Sequence, residues 1–130
     1  MTSAALTTRE AGSTNPLVVV VCGVPMIAEA LRETLASFAD VQFFPARRGT
    51  GGLLRSIRPS AAVVDNDDDR AEAEEVAREL RFPLVHIALA ERRVRVYRDG
   101  GWQLAGEDDG VRAETVRDAI AAGLFAKGSA

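Results

Sequence analysis

The chain has 130 residues, 47% of them apolar and 27% charged, with a formal net charge of −3 at pH 7. That length makes one domain able to bury roughly two thirds of the surface its unfolded chain exposes, and that charge gives no electrostatic drive towards nucleic acid. The single cysteine, Cys22, excludes an intrachain disulfide and a cysteine-built zinc site, and the single histidine, His86, excludes a two-histidine mechanism.

The longest apolar run, Leu17–Cys22, is too short to cross a bilayer. Residues 1–16 lack the cationic-then-apolar pattern of a secretory signal, so a reducing cytoplasm and no membrane partner are expected. The same stretch is rich in Thr, Ser, Ala and Gly and reads as a flexible lead-in.

Leu17–Val21 is a continuous β-branched run, the pattern of a parallel strand covered by helices on both faces. Gly23 and Pro25 end it, and Pro25 suits the first turn of a helix whose stripe is Ile27, Leu31, Leu35 and Phe38. Val41–Phe44 is a second strand. The loop from Arg47 to Gly52 leads to a short helix carrying Leu53, Leu54 and Ile57, which Pro59 closes. Ala61–Asp65 is the third strand, and an acidic loop passes into a helix over Glu72–Leu80 with Ala73, Val76, Ala77 and Leu80 on one face. Leu84–Leu89 is the fourth strand. Alternating strand and helix argues for a parallel sheet with right-handed crossovers. After Ala90 the period changes: Val94–Tyr97 alternates, Asp99-Gly100 is a two-residue hairpin turn, and Trp102–Leu104 alternates again. Gly106–Gly110 is an acidic loop, and Val111–Phe125 is the last helix.

Three stretches invite chemical readings. Asp65 stands where an apolar strand ends, the rim at which open α/β sheets collect ligands. Asp65, Asp67 and Asp69 alternate as in a calcium loop, a weak metal site at best because Arg70 stands where the loop's Gly belongs and Val76 where its bidentate Glu belongs. The competing reading is a solvated helix start, an Asp cap followed by acids that the helix dipole favours. Gly49-Thr50-Gly51-Gly52 lies between strand and helix but has no Lys before its Thr, so it does not read as a P-loop. Cys22 and His86 read first as core residues.

The segment Ala46–Asp65, "ARRGTGGLLRSIRPSAAVVD", with "GWQLAGEDDGVRAETVRDAIAAGLF" near the end, resembles the receiver domain of two-component response regulators. The resemblance covers most of Leu17–Phe125. It implies an α/β, flavodoxin-like (βα)5 three-layer sandwich with a five-stranded parallel sheet, in which a hairpin replaces the helix-four region and can add one further antiparallel strand. Residues 17–125 would form this receiver-like domain and residues 126–130 a tail.

The resemblance also makes Asp65 the phosphoacceptor equivalent. Receivers add two acids after strand one that bind Mg²⁺, a hydroxyl after strand four and a Lys after strand five. This chain has Cys22-Gly23-Val24, Ala88-Leu89-Ala90 and Ala105-Gly106 at those places, and its only lysine is Lys127. The expectation is a non-enzymatic, stand-alone degenerate receiver, without a cofactor, acting through a protein partner such as a signalling effector or kinase, or as a homodimer. Tyr97, Trp102, Arg93 and Arg95 are the expected partner-binding residues, since aromatic residues and arginine carry binding hot spots. The alternatives are a phosphorelay receiver modified on Asp65 with Mg²⁺, and a small-molecule or nucleotide binder at the strand rim.

Overall fold

The computed structural model describes residues 15–45, 49–105 and 112–129, the last five of these as backbone only. Most of the expected lead-in, the Arg47-Arg48 pair and the Gly106–Gly110 loop lie outside the described residues. The elements are β1 (Leu17–Val21), α1 (Pro25–Leu35), β2 (Asp40–Phe44), α2 (Thr50–Ile57), β3 (Ala61–Val64), α3 (Asp67–Leu80), β4 (Leu84–Ala88), β5 (Arg93–Arg98), β6 (Gly101–Leu104) and α4 (Ala113–Ser129). Helix α4 runs on past the expected end at Phe125.

The strands form one mixed sheet in the order β2-β1-β3-β4-β5-β6. The first four are parallel. The expectation of five parallel strands is corrected at β5, which runs antiparallel to β4 and pairs Leu84 with Tyr97 and Ala88 with Arg93. The reason is the connection. Only Leu89–Arg92 joins β4 to β5, whereas a parallel crossover needs about a dozen residues or more. The chain instead reverses in a tight turn, with hydrogen bonds from Glu91 N to Ala88 O and from Arg92 N to Leu89 O. The expected second hairpin is present, and Asp99 (φ 55°) and Gly100 (φ 83°) give it the two positive dihedrals of a type I′ turn.

Residues Val18–Val21 and Ala61–Val64 are all 0% exposed, so the sheet centre is buried on both faces. On one side Val18, Val20 and Val63 pack with Leu31 and Leu35 of α1 and Val116 and Ile120 of α4. On the other, Val19, Val21 and Val64 pack with Leu54 of α2, Val76 of α3 and Tyr97 of β5. Both sets bury apolar area at roughly 25 cal/mol per Å², and the faces come from the two-residue period of each strand.

Helix α4 approaches the start of β4 closely. A Cβ placed on Gly123 would lie 2.8 Å from Pro83 Cβ and 2.9 Å from its Cγ, inside van der Waals contact. Alanine is the better helix former by about 1 kcal/mol, but overpacking at such a contact costs typically about 1–3 kcal/mol. Gly123→Ala is therefore expected to destabilise the fold, read as a lower urea midpoint at unchanged m-value; an equal or higher midpoint would show that the contact relaxes freely.

Candidate functional site

The carboxyl ends of β1 and β3 lie side by side, because Val21 pairs with Val64, and this register brings Cys22 and Gly23 to Asp65. Asp65 Oδ2 accepts the Gly23 amide at 3.0 Å and lies 3.3 Å from Cys22 Sγ, while Oδ1 accepts from Asn66 Nδ2 at 3.4 Å. The thiol hydrogen has a second acceptor in Val24 O at 3.4 Å. Burial, more than the neighbouring Asp65 charge, pushes the Cys22 thiol up to about 11. At neutral pH the rim thus holds a protonated thiol donating towards a carboxylate.

Asp67 and Asp69 do not join Asp65. Helix α3 starts five residues before the expected Glu72, and its N-cap is Asn66 rather than an aspartate, with Asn66 Oδ1 accepting from Asp69 N at 2.8 Å. Asn three residues before Asp is a capping-box-like spacing, a signal present in the sequence. Asp69 is not solvated: it is 2% exposed and accepts from Thr50 Oγ1 at 2.6 Å and Asn66 Nδ2 at 2.7 Å. Glu72 Oε1 accepts the Gly51 amide at 2.8 Å. The N-terminus of α2, where an anion would be favoured, therefore meets carboxylates of α3. This clasp was not read from the sequence, since nothing local links positions 50 and 69. Asp67 points instead to His86, with Oδ1 3.7 Å from Nε2, and 4.0 Å from Arg70 Nε. Among the described residues no group of three or more His, Cys, Asp or Glu side chains is arranged to hold a metal ion.

The β5–β6 hairpin builds a second constellation. Tyr97 is 4% exposed and belongs to the core, whereas Trp102 is half-buried above it, with ring centroids 5.3 Å apart. The Arg95 and Arg70 guanidinium carbons lie 5.8 Å and 6.0 Å from the Trp102 ring centroid, and the His86 ring meets it edge-on at 6.1 Å. Arg95 Nη2 lies 3.5 Å from His86 Nδ1, and Arg95 Nε is buried with no hydrogen-bond partner. Arg93 is exposed at the start of β5. Of the four expected contact residues, Trp102 and Arg95 are therefore together at a partly open surface, Arg93 is near the β4–β5 turn, and Tyr97 lies beneath them.

Comparisons with protein-family models, curated proteins and solved structures find no match to this chain. Among the described residues no helix is long and apolar enough to cross a membrane.

Two outcomes follow from these environments. Burial first, and Arg95 and Arg70 with it, hold His86 below its ordinary value of 6.5, against the opposing pull of Asp67 and Glu91. The unfolded chain then binds the proton more readily, so stability is full above pH 6.5 and is lost as pH falls below it, by at most about 1.4 kcal/mol per pH unit. In urea titrations His86→Gln is expected to remove that part of the slope; an unchanged slope would assign the acid sensitivity elsewhere. Cys22 is expected to react with a disulfide reagent far more slowly in the native state than in urea, and Asp65→Asn to speed the native reaction by removing a charge that opposes thiolate formation.

Proposed function

We propose that this chain is a degenerate, flavodoxin-like receiver module that signals through protein–protein contact and does not take up phosphate by the Mg²⁺-dependent route. The observation that carries the reading is the state of Asp65. It stands where a receiver carries its phosphoacceptor, at the end of the strand beside β1 in a sheet ordered β2-β1-β3-β4-β5-β6. Its Oδ2 is engaged by Gly23 N–H and faces the Cys22 thiol.

The residues at this rim do not fit Mg²⁺. That ion requires hard oxygen ligands, and the neighbour of Asp65 on β1 is a thiol held protonated up to about 11. Phosphoryl transfer depends almost wholly on positioning and charge stabilisation, and Ala88–Ala90 and Ala105 supply neither hydroxyl nor cation.

The contact surface in this reading is the α3-side of the hairpin. Trp102 is flanked there by Arg70 and Arg95, and Leu104 is 48% exposed on the edge strand. A half-buried Trp between guanidinium groups is the composition of a binding hot spot.

Incubation with acetyl phosphate and Mg²⁺, followed by intact-mass measurement, is expected to leave the chain unmodified. A phosphoprotein that Asp65→Ala abolishes would overturn the reading. Protein partners are expected to be recovered equally with wild type and Asp65→Ala and lost with the pair Trp102→Ala and Arg95→Ala; retention by that pair would remove the hairpin from the interface.

A further inference from the structure

At the end of the sheet opposite Asp65, the C-terminal end of α3, the β5–β6 turn and Gly123 of α4 enclose a cavity of about 610 Å³. We propose that this cavity binds a small organic anion, an apolar ring-sized body bearing a carboxylate or phosphate. The volume is within the range of roughly 300–1,000 Å³ typical of small-molecule sites.

The walls carry the argument. Phe82 and Tyr97, 5% and 4% exposed, give the cavity an aromatic lining suited to an apolar body. Arg78, Arg81 and Arg98 line it as well, against the single carboxylate of Asp99, so the opening is net positive. Guanidinium groups present paired N–H donors that match carboxylate and phosphate oxygens. Elsewhere on α2 and α3 arginines are matched within the chain, Arg55 with Glu79 and Arg70 with Glu74, both at 2.7–2.8 Å. Arg78 and Arg98 have no such partner among the described residues. Interaction with the helix dipole accounts for Arg78, in the last turn of α3, but not for Arg98, which is on β5.

Tyr97 lines the cavity beside these arginines. Because the Tyr97 ring touches that of Trp102, the chain's only tryptophan, occupancy is readable from one fluorophore.

The test uses 1-anilinonaphthalene-8-sulfonate, an aromatic anion, as the probe, with Trp102 excited and sensitised dye emission recorded. One saturable site is expected, displaced by benzoate or by phenyl phosphate, whichever anion the site prefers. Arg78→Ala with Arg98→Ala is expected to weaken the dye at least about tenfold, the scale of one lost charge-assisted hydrogen bond. Asp65→Asn, at the far rim, should leave it unchanged. Since Arg78 is exposed, Arg78→Glu alone provides a variant with an intact fold, checked by its melting temperature. The proposal is overturned by absence of a saturable site, by displacement with neither anion, by affinity unchanged from wild type in both arginine variants, or by equal binding of the neutral N-phenyl-1-naphthylamine.

Discussion

Burial of β1 and β3 on both faces is the constraint from which the rest of the structure follows. Val18–Val21 and Ala61–Val64 leave no exposed surface, and a strand with apolar side chains on both faces must be covered twice. Helices α1 and α4 cover one side and α2 and α3 the other. The parallel register of β1 with β3 then places Cys22, Gly23 and Asp65 at one rim. The contacts made there are a consequence of register, not of neighbours in sequence.

The acidic stretch Asp65–Asp69 divides its carboxylates among three tasks. Asp65 ties the β1 loop to β3 through Gly23 N–H, Asp69 holds Thr50 at the start of α2, and Asp67 stands beside His86. Asp69 is the costly member, since a carboxylate at 2% exposure needs hydrogen bonds to offset its lost hydration. It accepts them from Thr50 and Asn66, and the separate bond from Gly51 N–H to Glu72 completes a clasp that fastens α2 to α3. Asp65 and Asp69 thus act as internal joints, while Asp67 and Asp68 remain exposed.

The short β4–β5 turn has two consequences. It adds two antiparallel strands, which closes the α1–α4 side with Val94 and Val96. It also leaves the α3-side of the hairpin with no helix of its own, so Trp102 is covered by arginine side chains and Leu104 stays exposed. At the other end of the same hairpin, the type I′ turn stands clear of α3 and walls the cavity.

The periods of the sequence determined the elements. Valine runs marked the buried strands, the Leu31–Leu35 stripe marked α1, and Asp99-Gly100 marked the hairpin turn, because each is a local pattern of burial or of backbone dihedrals. The hairpin after β4 was legible for the same reason. Strand direction at β5 was not: five parallel strands were expected, and the short Leu89–Arg92 connection decided otherwise. The address of Asp65 was legible, but its partners Cys22 and Gly23, more than forty positions away, were not. Nor was the burial of Tyr97 under Trp102, the burial of Asp69 against Thr50, or the gathering of Arg78 and Arg98 around one cavity. Local sequence sets dihedrals and the side of an element that faces inward. Which side chains then meet, and which charges are left without partners, is decided only when the sheet order brings distant elements together.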